Sequence, residues 1–287
     1  MAYNEGTDPT LAELISRYWV PSIYSKNVVD HTKSKLVVAE SVNTEYQRDL
    51  KVGSTVYIPV TTEATAAEVT PGTALTASDV TTTGKSLTVD KWYGSKAEIS
   101  EMANIQDPIN YLSKAAQSCA YAIAKQLDTH LGACFSSLGG YTTSAYGTDG
   151  QTLTDDIIIY LMETLDESDV PEDDRCIITD PSSKADLLKI DKFVRNDYVR
   201  NPVVPTGKFG DIYNMEVKIT NNLTAATTGH YGVMMHRDAL ASIVQANPYS
   251  QKINDPKYHR IIFQVKIIYG YGELRDTFGI PFYTRKS

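Results

Sequence analysis

Residues 61–86 read TTEATAAEVTPGTALTASDVTTTGKS, with nine threonines and only four charged residues among the 26. The stretch has no helical apolar period. Strand-like alternation stands on both sides of it, at Val56, Ile58 and Val60 before and at Leu87 and Val89 after. Loops longer than about 12–15 residues without structure of their own are uncommon in compact domains, and are functional or disordered when they occur. The simplest geometry is a long antiparallel hairpin with a Thr/Ala-rich tip. Threonine favours extended backbone, and Pro71-Gly72 is a turn signal. A loose surface loop is the alternative that composition leaves open. The main apolar residues of the stretch are Val69, Leu75 and Val80, too few to form a core.

The rest of the chain affords one. It has 287 residues, enough for one large domain or two, with 42% hydrophobic and 22% charged residues, an ordinary globular composition. The net charge is −8, which argues against a protein whose main task is to grip DNA phosphates. No early apolar stretch resembles a signal peptide, and no run of eighteen apolar residues could span a bilayer. The expectation is folding in a cytoplasm, with no membrane partner. Cys119, Cys134 and Cys176 fit no metal or redox spacing. Three thiols suit small buried hydrophobes better than a disulfide framework.

Before the hairpin, Thr10 and Glu13 form a capping-box pattern. Leu11, Leu14, Ile15, Tyr18 and Trp19 then make one apolar helical face that Pro21 ends. So short a helix must dock, either on its own core or on a neighbouring chain. Residues 36–46 look extended, and Gly53 reads as a turn. After Val89, Gly94 reads as a strand break, with Ala97 and Ile99 beyond it. Asp107-Pro108 opens the strongest helical pattern, which runs to Leu138 and stops at Gly139-Gly140. Unbroken, it would be roughly 45 Å long at 1.5 Å per residue. A turn-rich boundary at 139–154 leads into an α+β region. It holds a helix over 157–165, a buried strand at 174–179, a capped helix from Asp180, and strands about Gly210 and Asn214. A long strand over 260–269, a glycine turn and a last strand at 280–283 close the chain.

Chemical motifs are absent. His31, His130, His230, His236 and His259 lie in no metal-ligand frame and read as surface or packed residues. TGKF at 206–209 lacks the first glycine and the hydroxyl of a phosphate loop. The glycines at 270 and 272 lack dinucleotide-binding spacing. The carboxylates at 172–174 read as a solvated turn. Lys184, Lys189, Lys192, Arg195 and Arg200 gather near Phe193 and Tyr198, but Asp186, Asp191 and Asp197 neutralise them. A mixed solvated or intersubunit face fits them better than a nucleic-acid patch. No enzyme, metal or cofactor is expected.

The order of elements, together with GSTVYIP at 53–59, LTVDKWYGSKAEISEMANIQ at 87–106 and GKFGDIYNMEVKITNNL at 207–223, resembles the major capsid protein of tailed bacteriophages. That fold is shared with encapsulin shells and the herpesvirus capsid floor. Asn214 stands where that family often has glycine, and asparagine tolerates positive φ. The resemblance implies an α+β fold in four parts. These are an N-terminal arm at 1–45, an extended hairpin loop at 46–100, a peripheral domain with a long spine helix at 101–144 and 241–272, and an axial domain at 145–240 and 273–287. It implies a structural subunit of an icosahedral head that encloses double-stranded DNA, located in the virion capsid and assembled in the host bacterial cytoplasm. An encapsulin-type compartment is the same-fold alternative. A soluble hydrolase or binding module with the threonine tract as a lid is the alternative from another class. No crosslinking pair carries over, since Lys85 lies at the base of the hairpin.

On this reading the partners are copies of the chain itself, in hexamers and pentamers, with a portal protein and packaged DNA in weak non-specific contact. The arm helix begins within ten residues of Met1, so the scaffolding protein is expected to be separate. Leu11, Leu14, Ile15 and Trp19 of the arm, with Val69, Leu75 and Val80 of the hairpin, are the expected intersubunit contacts. An extended hairpin makes sense laid across a neighbour, where strand pairing and side-chain contacts give it partners.

Overall fold

The computed structural model describes residues 37–48, 50, 53–61, 66, 68–69, 82–105, 111–141, 145–190, 192 and 211–286. Strands β1 (Thr55–Thr61) and β2 (Thr82–Thr88) form an antiparallel hairpin, with Thr55 opposite Thr88 and Thr61 opposite Thr82. The flanking alternation around the threonine tract thus pairs as the sequence suggests. The arm helix, most of the tip and the Asp107-Pro108 cap lie outside the described residues.

A second sheet holds β3 (Lys91–Ser100), β8 (Leu240–Asp255) and β9 (Arg260–Glu273), antiparallel in the order β3-β9-β8. Along β9 the alternation of side chains places Ile261, Val265, Ile267 and Tyr269 on one buried face. Helix α1 (Glu101–Ile105) follows β3, and the long helix α2 (Tyr111–Ala133) covers that face with Cys119 and Ile123.

The third sheet has the order β10-β7-β4-β6-β5, from β4 (Arg175–Thr179), β5 (Asp211–Ile212), β6 (Met215–Ile219), β7 (Tyr231–His236) and β10 (Gly279–Tyr283). Central β4 is buried along its whole length, as a strand covered on both faces must be. Helix α3 (Asp155–Glu167) packs Ile158, Leu161 and Leu165 into this core, and Asp155 and Asp156 sit in its first turn, where they complement the helix dipole. Helix α4 (Pro181–Leu187) starts at Asp180, whose Oδ1 accepts from Ser183 N at 3.1 Å. The β5–β6 turn holds Tyr213 and Asn214 at φ 50° and 63°, so the positive φ expected at Asn214 is present.

Helix α2 belongs to two cores. Its Cys119 and Ile123 pack beneath the three-stranded sheet, its Leu131 joins the core of the five-stranded sheet, and Leu127 touches both.

Four expectations need correction. Gly94 lies inside β3 opposite Lys266. A Cβ there would be 3.3 Å from Lys266 Cγ and 3.4 Å from Val265 O, so the glycine marks tight packing within the ladder. The strand breaks instead at Val89-Asp90, where Val89 N donates to Ser54 O at 2.7 Å and the chain passes from one sheet to the other. Gly270 and Gly272 make no turn, because β9 runs through both to Glu273. The α-helix ends at Ala133, and a 3-10 turn carries the chain through Ser137 to an extended Leu138. Residues 37–48 are not a strand. They form turns and a 3-10 helix at Glu45–Arg48, held by Ser41 N donating to Val38 O at 2.9 Å and by a carboxylate on α2 described below.

Candidate assembly surfaces

The hairpin has a built root. Its inner face carries Val56, Ile58 and Leu87, which rest on Leu50, Ala241, Ile243 and Leu274. Gln245 Nε2 donates to Gly53 O at 2.7 Å, and Lys85 Nζ lies 3.8 Å from Asp276 Oδ1. The two glycines of β9 explain the close seating. A Cβ at Gly270 would lie 2.4 Å from the Thr88 carbonyl oxygen and 2.8 Å from Val89 Cα, and one at Gly272 would lie 2.9 Å from Leu87 Cδ1. The hairpin thus crosses β9 where β9 has no side chains. Glycine inside a strand is the signal for such an approach, and only the identity of the approaching segment was hidden. Beside the root lies a cavity of about 180 Å³ lined by Tyr46, Ile58, Pro59, Lys85, Asp238, Leu274 and Arg275.

Two exposed surfaces stand out. The outer face of the hairpin presents Thr55, Tyr57 and Pro59 opposite Thr88, Ser86 and Gly84, with no charged side chain among them. Tyr57 is 75% exposed. The face of the three-stranded sheet away from α2 carries Trp92 beside Ile268, and Ile262 beside Ile253. Trp92 is 70% exposed. Arg260 holds the far end of that face together, paired with Glu98 and, at 3.2 Å, with Asp255. Neither Tyr57 nor Trp92 was singled out from the sequence, since a lone aromatic in an alternating strand reads equally well as core. Of the expected contact residues, Val69 is described and is exposed. Leu11, Leu14, Ile15, Trp19, Leu75 and Val80 lie outside the described residues.

Several of the titratable groups that the sequence offers are packed or paired. His130 sits among Tyr93, Tyr269 and Tyr271, with Tyr269 Oη 2.8 Å from its Nδ1, and burial lowers its pKa. His259 is exposed and His31 lies outside the described residues. Among the described residues no three metal-ligating side chains converge. Cys119 and Cys176 are buried and Cys134 half-buried. Burial pushes the thiols of Cys134 and Cys176 up to about 11, which makes them inert packing groups at neutral pH. Lys189 pairs with Asp186 at 3.2 Å and Lys192 pairs with Asp155, so this part of the basic cluster is neutralised. Arg195, Arg200, Asp191 and Asp197 lie outside the described residues. Glu172, Asp173 and Asp174 are exposed, as a solvated turn requires.

The surfaces, and the packed state of the titratable groups, suit a protein that works by contact. The sequence profile of the phage capsid proteins matches residues 81–280, well over half of the chain. The chain belongs to the phage capsid protein family. Solved structures share the capsid protein's fold. A structure of Mycobacterium phage Che8 has a TM-score of 0.75 at 19% identity, over 92% of this chain and 97% of that one. The capsid of cyanophage P-SCSP1u has a TM-score of 0.74 at 16% identity, over 100% and 97%. The mature capsid of bacteriophage PhiM1 has a TM-score of 0.70 at 15% identity, over 91% of each chain. Among curated proteins none matches by sequence. The capsid protein is a structural subunit that self-assembles into a shell, and its place is the virion capsid. Neither the encapsulin nor the hydrolase alternative is favoured.

Proposed function

We propose that the capsid protein builds the icosahedral head of a tailed phage around double-stranded DNA, and that the hairpin is the arm with which each subunit grips the next. The observation that carries this reading is the hairpin itself. Among the described residues its inner face is seated on the subunit through Val56, Ile58 and Leu87, while its outer face is uncharged and carries the exposed Tyr57. A protein with 22% charged residues that keeps charge off one exposed strand face has a use for that face in contact.

In this reading residues 1–45 are the arm, 46–100 the extended loop, 101–144 with 241–272 the peripheral domain, and 145–240 with 273–287 the axial domain around the centres of hexamers and pentamers. Leu11, Leu14, Ile15 and Trp19 join Val69, Leu75 and Val80 in intersubunit contact. A separate scaffolding protein guides assembly in the bacterial cytoplasm, and a portal protein completes the head. The acidic balance of the chain, −8, suits an inner surface over which DNA moves without being gripped. The subunit's task is assembly, with no catalysis.

The test replaces residues 65–82 with a short Gly-Ser turn. At about 25 cal/mol per Å² of apolar area buried, a few side chains laid on a neighbour contribute only a few kcal/mol per contact, repeated around the shell. The expected result is a nearly unchanged unfolding transition of the subunit and a collapse in particle yield. Closed shells of normal stability from the shortened chain would make the hairpin a surface loop.

A further inference from the structure

The two sheets are joined along α2, and a polar knot sits where that helix passes from one core to the other. Asp128 lies one residue beyond Leu127, which touches both cores, and it is fully buried. Its Oδ1 accepts from Val38 N at 2.8 Å and from Ala39 N at 3.1 Å. Its Oδ2 accepts from Asn222 Nδ2 at 3.1 Å. One turn further along, a Cβ at Gly132 would lie 3.3 Å from Asn222 O, so helix and loop are closely packed at this level.

The segment that Asp128 grips is a strap over residues 37–48. Its first part is fastened to the five-stranded side, where Lys218 Nζ donates to Ser41 Oγ at 2.9 Å and Ser41 Oγ donates to Val37 O at 2.8 Å. Its second part is fastened where β7 leads into β8. Asn43 N donates to Leu240 O at 3.0 Å, Ser242 N donates to Asn43 O at 3.0 Å, and Asn43 Nδ2 donates to Asp238 Oδ1 at 2.6 Å. Val37, Val38, Val42, Ser41 and Asn43 are all buried. The strap therefore ties the helix, the five-stranded sheet and the start of the three-stranded sheet at one place.

Apolar contacts are non-directional, and two cores sharing one helix could rock about it with little loss. A buried carboxylate is different. It can only accept hydrogen bonds, and leaving its donors or its own oxygens without partners in the interior is costly. Its three bonds are satisfied together at one relative placement of strap, helix and loop. We propose that Asp128 is a positioning residue that sets the angle between the two sheet bodies and, through it, the curvature of the shell. This rests on the shell-building reading above. The angle within the subunit sets the angle between its neighbours, so a joint with two permitted angles gives shells of mixed size.

Three variants of the full chain test this. Asp128→Asn keeps the shape and the Oδ1 that accepts from Val38 N and Ala39 N, but sets an NH2 group against the NH2 of Asn222. The double variant Asp128→Asn with Asn222→Asp restores a donor–acceptor pair with reversed polarity. Asn222→Ala removes the bond to Asp128 Oδ2 and leaves the two strap bonds of Oδ1 in place. Circular dichroism of the soluble subunits and the diameters of particles in negative-stain micrographs are the readouts. D128N is expected to keep the wild-type spectrum and to broaden the diameter distribution about twofold, as expected when a joint gains a second orientation of comparable energy. N222A is expected to fall between, and the double variant to narrow the distribution again. Wild-type diameters from D128N would overturn the proposal. So would a double variant that fails to fold or restores nothing, because the bond pattern would then not be what matters. A wild-type chain that forms no shells under any condition sinks the shell reading and this proposal together. Wild-type shells alongside unaltered D128N shells sink this proposal alone.

Discussion

Replacing Gly270 by alanine places a methyl carbon 2.4 Å from the Thr88 carbonyl oxygen and 2.8 Å from Val89 Cα, where ordinary contact begins at 3.4 Å. Both atoms are backbone, so no side-chain rotation relieves the clash. Either β9 or the root of the hairpin must move by about 1 Å. Forcing an extra methyl into a close-packed site costs about 1–3 kcal/mol. With a urea slope of about 3 kcal/mol per molar for a chain of this size, the midpoint of subunit unfolding falls by roughly 0.3–1 M. The larger effect is on assembly, because the displaced root sets the direction of the two seven-residue strands of the hairpin. Urea denaturation of the subunit and sedimentation of its particles measure the two effects separately. Gly84→Ala is the matched control. It lies in the same hairpin with nothing within 4 Å of its would-be Cβ, so it should change stability by less than about 0.5 kcal/mol. A G270A subunit with the wild-type midpoint and normal shells would refute the account of how the hairpin is seated.

Two further outcomes concern pH and the C-terminus. Burial raises the Glu273 carboxyl above its usual 4.5, a hydrogen bond from Ser137 opposes the shift, and neighbouring Asp276 reinforces it. A raised carboxyl stabilises the fold fully below the unfolded value, and this contribution is lost as pH rises through the folded value. Glu273→Gln should therefore flatten the stability–pH curve in the window just above 4.5, which thermal melts from pH 4 to 7 would reveal; an unchanged slope contradicts the assignment. At the C-terminus, Arg285 Nε donates to Asp186 Oδ2 at 2.7 Å and Ser182 Oγ donates to Arg285 O at 2.7 Å. Burial pushes the Asp186 carboxyl up, but hydrogen bonds from Arg285 and Lys189 outweigh it and hold the group below its usual 3.8. That stability is present above the unfolded value and is lost as pH falls through the folded one. Arg285→Ala should lower the melting temperature at pH 7 and narrow its drop below pH 4, and an acid limb identical to wild type would count against the clamp.

Features legible in the sequence were those whose cause is local. The period of two around the threonine tract gave β1 and β2, the spacing of threes and fours gave α2, and Asp180-Pro181 and Asn214 gave a cap and a turn. Misread features had causes far away in the chain. Gly270 and Gly272 look like a turn because two glycines two apart usually are one. Their role depends on the backbone of residues 88 and 89, which no window around 270 contains. Residues 36–46 look extended because valines favour strands, yet Asp128, about ninety positions on, takes two of their amides. Tyr57 and Trp92 stayed unnoticed for a related reason: alternation tells which residues share a face, but exposure depends on what covers that face.

The strap also fixes an order of events in the making of the subunit. Its side-chain ties span 89 to 195 residues, whereas β8 and β9 are joined by a turn over 256–259. The entropy of closing a loop grows with its length, so the short hairpin closes early and the strap waits. On the ribosome the wait is literal. Asn43 is made first, and its partner Asp238 follows 195 residues later, about 10–40 s at a synthesis rate of about 5–20 residues per second. Throughout that interval the core that Val37, Val38 and Val42 enter is incomplete. The root of the arm thus leaves the ribosome well before the segment that fastens it.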